Sequence, residues 1–95
     1  MKNPQLLVHE HEDNVGVVVV EGLTAGTDVL GVVTADNSAF NLTVKADVPI
    51  GHKVALKDLK AGDTAMKYGE DIGRIVADVA KGGYVHTHNL KTKRW

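Results

Sequence analysis

Short β-branched runs, punctuated by glycine and aspartate, set the rhythm of this chain. Valine, isoleucine and threonine lose side-chain freedom in a helix and pack well on a pleated surface, so these runs predict strands. Residues 14–21 (Asn14-Val15-Gly16-Val17-Val18-Val19-Val20-Glu21) are apolar on both faces of a strand. That pattern predicts a strand deep in the fold, because an exposed one would template aggregation. Residues 22–27 read as a turn with a bulge, 29–35 as a second strand, and Asp36-Asn37-Ser38 as a tight turn. Residues 40–46 alternate apolar and polar, the period of a half-buried strand. Tyr68-Gly69 reads as a hairpin turn, with 72–76 as the returning strand.

An imperfect repeat occupies the second half. Asp47-Val48-Pro49-Ile50-Gly51-His52-Lys53-Val54 resembles Asp58-Leu59-Lys60-Ala61-Gly62-Asp63-Thr64-Ala65 and Asp78-Val79-Ala80-Lys81-Gly82-Gly83-Tyr84-Val85. Each copy reads aspartate, aliphatic, two residues, glycine, two residues, then a small or β-branched residue. The spacing predicts a single helical turn opened by the aspartate, a reversal at the glycine, then a strand. The uneven period excludes a solenoid. The expected fold is one mainly β domain over residues 1–95 with short helical turns, residues 1–8 and 92–95 being flexible tails.

Size and charge narrow the function. A 95-residue domain holds one core and has little room for an enclosed active site. A site at an edge, completed by another chain, is therefore expected. The formal net charge is −1, and aromatics make up 4% of the residues. That composition lacks the basic patch and the stacking platforms of nucleic-acid binders. Cysteine is absent, which excludes disulfides, thiolate chemistry and cysteine-held metals within this chain. Residues 1–10 lack the apolar core of a signal peptide, and the apolar run 15–20 is too short to span a bilayer. The expectation is a cytoplasmic protein without a membrane partner.

Candidate chemistry gathers on histidines. In His86-Thr87-His88-Asn89, a strand would put both imidazoles on one face, about 7 Å apart. Such a pair supplies two metal ligands, or one ligand and one proton carrier; the plain alternative is a solvent-facing strand end. Asn89 adds a neutral donor and acceptor. Gly51-His52-Lys53 sets an imidazole and an ammonium after a glycine turn, suited to a carboxylate or simply a surface loop. In His9-Glu10-His11-Glu12-Asp13, His11 and Asp13 lie nearest the ordered strand. Lys67-Tyr68-Gly69 is a further polar cluster. Lys91-Thr92-Lys93-Arg94-Trp95 reads either as a docking tail or as a frayed end. The single serine, Ser38, sits in a turn with no nucleophile elbow.

Taken in order, His11-Glu12-Asp13-Asn14-Val15, the stretch from Asp47 through Ile50-Gly51-His52-Lys53 to Leu59, Gly62-Asp63, Lys67-Tyr68-Gly69, Ile72-Gly73 and Val85-His86-Thr87-His88-Asn89-Leu90 resemble the small N-terminal domain of the altronate and galactarate dehydratase family. The resemblance spans roughly residues 9 to 92. It implies the SAF (antifreeze-like) superfamily and its β-clip fold. It also implies a small subunit, working with a large catalytic subunit, of a hydro-lyase acting on a sugar acid such as altronate or galactarate. In layout, ending after the His-x-His-Asn motif, the chain is similar to altronate dehydratase small subunits and also to the small subunit of sulfolactate sulfo-lyase, an alternative reading. A stand-alone module that binds sugar acids is the non-catalytic alternative, and self-association of the isolated chain is allowed.

The implied reaction is a β-elimination beside a carboxylate. On the resemblance, His86 and His88 carry catalysis and help hold a divalent metal, such as Fe2+, bound mainly with the large subunit. His52, Lys53, Lys67, Asn89 and His11 would contact substrate. Tyr84 stands where many relatives carry a histidine, which argues against a three-histidine metal site within this chain.

Overall fold

The computed structural model describes residues 3–67 and 70–91. Nine strands follow in order: β1 Leu6–Val8, β2 Val15–Val18, β3 Asp28–Val33, β4 Ser38–Thr43, β5 Lys53–Ala55, β6 Thr64–Lys67, β7 Glu70–Ile75, β8 Tyr84–Val85 and β9 Leu90–Lys91. They form a six-stranded sheet, β4-β3-β1-β2-β5-β8, and a three-stranded sheet, β6-β7-β9. The mainly β expectation holds. The short helical turns do not: the described residues contain strands, bridges and turns but no helix.

The run 1–8, expected to be a tail, contains β1. This strand pairs antiparallel with β2 and parallel with β3, so it lies inside the sheet. Leu6 is fully buried and Val8 nearly so. Three residues are too few to show a period; the ladders on either side supply what local sequence does not signal.

The valine-rich segment does lie deep, though β2 is shorter than expected. Its ends serve two cores. Val18 packs with Leu6, Val29, Val44 and Val54. Val15 packs with Ala55, Leu59, Ile75 and Val85. Val15 and Val18, on opposite faces, are both fully buried, so β2 has no polar side to show and its sequence does not alternate. Across the β3–β4 pair, Gly31 faces Phe40. A Cβ at Gly31 would lie 2.2 Å from the Phe40 ring, so the glycine makes room for the aromatic. The hairpin between β6 and β7 pairs Lys67 with Glu70, and Tyr68-Gly69 lies outside the described residues.

The repeat has a different logic from the one its spacing suggests. Each aspartate caps a loop other than its own. Asp58 accepts from the Lys81 N–H and Asp78 from the Ala61 N–H, both at 2.8 Å, so two copies cap one another. Their aliphatic residues, Leu59 and Val79, form the bridge between them. Asp47 likewise accepts from the Ala25 N–H at 2.9 Å, beside the bridge of Val48 to Leu23. The loop at 22–27 is therefore a fourth copy, hidden because Gly22 stands in the aspartate position. Gly26, Gly51, Gly62 and Gly82 share φ between 85° and 99°, a left-handed conformation that favours glycine.

Candidate functional site

The pairing of β5 with β8 builds the site. Lys53 stands opposite Val85 and Val54 opposite Tyr84. One step further along the same antiparallel register, His52 meets His86. Side chains alternate, so His52, Val54, Tyr84 and His86 share one face while Lys53 takes the other. The His52 and His86 rings stack with centroids 3.9 Å apart and planes 20° from parallel. The Tyr84 ring lies 5.6 Å from His52 and 6.0 Å from His86. Its hydroxyl is hydrogen-bonded to His52 Nδ1. His88 packs against Tyr84, tilted by 48° at 5.2 Å.

His86 and His88 were expected side by side on a strand. Instead β8 ends at Val85, and residues 86–89 form a turn into β9. The Asn89 side chain explains the break. Its Oδ1 accepts from the His86 N–H at 2.9 Å, and its Nδ2 donates to the Tyr84 carbonyl at 2.8 Å. The His86 carbonyl in turn accepts from the N–H groups of Asn89 and Leu90. Short Asx side chains compete in this way with the sheet ladder for backbone groups. Asn89, expected to contact substrate, is 6% exposed with both amide ends engaged, and the structure shows it shaping the turn. The two imidazoles still converge, but through Tyr84 rather than through strand alternation. Tyr84 was the residue missed; its place two before His86, on the same strand face, was the available signal.

His86 is the chemically unsettled member. Its Nδ1 is buried without a hydrogen-bond partner. Desolvation lowers its pKa below the usual histidine value, helped by the positive potential of His52, Lys53 and His88. The ring is therefore neutral at pH 7, with one N–H and one lone pair.

The donor set does not make a metal site alone. No group of three histidine, cysteine, aspartate or glutamate side chains is placed to hold an ion among the described residues. Stacked rings such as His52 and His86 aim their in-plane lone pairs alongside one another rather than at one point.

The remaining expected residues lie elsewhere. Lys53 and Lys67 line a cavity of about 320 Å³ floored by Val15, Val17 and Val19, so Lys53 and its neighbour His52 serve opposite faces. His11, in the loop between β1 and β2, reaches the turn between β3 and β4, with Nε2 2.7 Å from Asp36 Oδ2. Ser38 Oγ donates to the other Asp36 oxygen at 2.7 Å. The carboxylate raises the His11 pKa, and His11 and Ser38 lower that of Asp36 to about 2.

The family profile described as altronate/galactarate dehydratase SAF domain matches residues 4–93. The chain is 72% identical over 67 residues to a (2R)-sulfolactate sulfo-lyase subunit alpha of Paracoccus pantotrophus, covering 70% of this chain and 100% of that protein. It is 48% identical over 89 residues to the subunit alpha of Chromohalobacter salexigens, covering 94% of this chain and 95% of that one. Altronate dehydratase of Escherichia coli is 42% identical over 80 residues, 84% of this chain but 15% of the enzyme.

Proposed function

Because the chain belongs to the altronate/galactarate dehydratase SAF domain family, a family of lyase subunits, we propose that it is the small subunit of a two-component lyase acting on a 2-hydroxy acid, with (2R)-sulfolactate as the leading substrate. The observation that carries the substrate is the pair of subunit-alpha matches, each spanning nearly all of its relative. The sugar-acid reading rests on the family profile and on the altronate dehydratase match, and is the second choice.

Both substrates demand the same first event. A base takes the proton from C2, beside the carboxylate, and the freed electron pair forms the C2–C3 double bond. From sulfolactate the C3–S bond breaks and sulfite leaves with its electron pair. The enol left behind becomes pyruvate by moving a proton to C3. From a sugar acid, hydroxide leaves C3 and must be protonated as it goes. The sulfite route needs no acid at the leaving group, which suits a cluster whose described residues are imidazoles and a phenol.

On this chain, neutral His86 handles a proton, and Tyr84 orients His52 beside it. His88, exposed on the turn, faces the partner. Lys53 and Lys67 favour anionic groups in the neighbouring cavity. The large subunit supplies the remaining groups. Any divalent ion, Fe2+ included, belongs mainly to that subunit, since no three ligands for it come together among the described residues.

The test is to co-purify the chain with its large subunit and assay (2R)-sulfolactate, altronate and galactarate in parallel. Sulfite and pyruvate in equal amounts are expected from the first. Turnover of a sugar acid alone would move the assignment to a dehydratase. Full activity from the isolated small chain would remove the division of labour.

A further inference from the structure

The six-stranded sheet ends on one side in β8, of two residues, and on the other in β4, of six. Register shows which β4 groups are open. Leu30 turns its backbone toward β1: its carbonyl accepts from Gln5 N–H, and its own N–H donates to Gln5 Oε1. Asn41, opposite Leu30, therefore points its N–H and C=O away from β3. Ala39, two residues back, does the same. At the far end Gly82 packs against the Thr43 carbonyl and closes the edge there.

Exposed edges are usually blunted by lysine, proline or a bulge. The sequence of β4, Ser38-Ala39-Phe40-Asn41-Leu42-Thr43, has neither residue, and its six pairs with β3 run in unbroken register. Beside this edge opens a cavity of about 560 Å³, with Phe40, Leu42 and Leu56 among its apolar lining and Lys57 and Lys81 at its wall. Lys45 and Lys81 line the adjoining hollow. Among the described residues none of these three ammonium groups has an ion-pair partner. Asp13, also in the lining, is buried and accepts from the Glu10 N–H.

We infer that β4 receives an extended acidic segment of the partner subunit, added as a seventh strand. The new strand bonds to Ala39 and Asn41, sets alternate apolar side chains in the cavity, and meets Lys45, Lys57 and Lys81 with carboxylates. A second copy of this chain pairing edge to edge would bring two lysine sets together, so charge selects the acidic partner. The inference rests on the large subunit invoked above, and it concerns a surface separate from the histidine cluster.

Hydrogen exchange of the chain, free and in complex with the large subunit, tests it. The amides of Ala39 and Asn41 are expected to exchange fast when free and slowly in the complex. Asn41→Pro removes only an outward N–H, because that residue gives no hydrogen bond to β3. It and the double variant Lys57→Glu, Lys81→Glu are each expected to weaken association about tenfold or more, with thermal midpoints of the free chain near wild type. Equal exchange in both states, or affinity within about twofold of wild type for both variants, overturns the inference while leaving the proposed function standing. A homodimer of the isolated chain that Asn41→Pro dissolves overturns it in favour of self-pairing. A wild-type chain that binds no large subunit overturns both.

Discussion

His11 and His86 are treated in opposite ways by the same small fold. His11 is exposed, has a carboxylate 2.7 Å away, and holds its proton more tightly than an ordinary histidine. His86 is half-buried, has no carboxylate near it among the described residues, carries an unpartnered Nδ1, and gives up its proton more readily. Water and a counterion settle His11, so little is stored there. Burial among other imidazoles leaves His86 neutral and available. The contrast separates a surface ion pair from a site, and it shows why a histidine's neighbours matter more than its position in a motif.

The largest expected effect tests that separation directly. In the reconstituted complex, His86→Ala is expected to lower kcat by about 10²–10⁴-fold, the usual worth of a positioned proton-transfer group. His11→Ala should leave the rate within about twofold, as a solvent-exposed pair supports little beyond itself. Similar losses from both variants would erase the distinction.

Next comes the turn that sets His86 in place. Asn89→Ala strands the His86 N–H and the Tyr84 carbonyl, and is expected to cost the free chain about 1–3 kcal/mol in denaturant unfolding. A change below about 0.5 kcal/mol would show that water replaces the amide without penalty.

The pH dependence of stability sharpens the comparison because the signs differ. His86 has a lowered folded-state pKa, so the unfolded chain binds more protons. Its contribution is full above the ordinary value of 6.5 and is lost as pH falls below it. His11 has a raised pKa, so its contribution is present below 6.5 and is lost as pH rises through the higher folded value. Asp36, lowered to about 2, adds stability above its ordinary value of 3.8 that is lost as pH falls through about 2. NMR titration should place the two histidines on opposite sides of 6.5; shifts in the same direction would contradict this reading.

The smallest effect is Asp36→Asn. It should return His11 toward the ordinary histidine pKa and leave His86 unmoved. A change at His86 would mean that the two regions are coupled.

Much of the fold was legible in the sequence, and the exceptions have physical causes. The burial of Val15 and Val18 on opposite faces of β2 follows from its apolar sequence, and β6 pairs with β7 where a hairpin is expected, the Tyr68-Gly69 turn itself lying outside the described residues. β1 carries no local signal, because its three residues gain stability only from neighbours distant in sequence. The aspartates were legible as caps but not as caps of one another, since exchange between loops is a tertiary fact. At the site, the sequence pairs His86 with His88 and sets His52 apart with Lys53; the fold instead stacks His52 on His86 and ends the strand between His86 and His88, because Asn89 outcompetes the ladder. Lys53 was grouped with His52 by adjacency, yet strand alternation sends neighbours to opposite faces.

The most direct test of the shared site is to titrate a fixed amount of large subunit with this chain and follow sulfite release from (2R)-sulfolactate. The rate should start near zero, rise with added chain and level off near one small subunit for each large one. A large subunit that reaches its full rate unaided would contradict the proposed role of this chain.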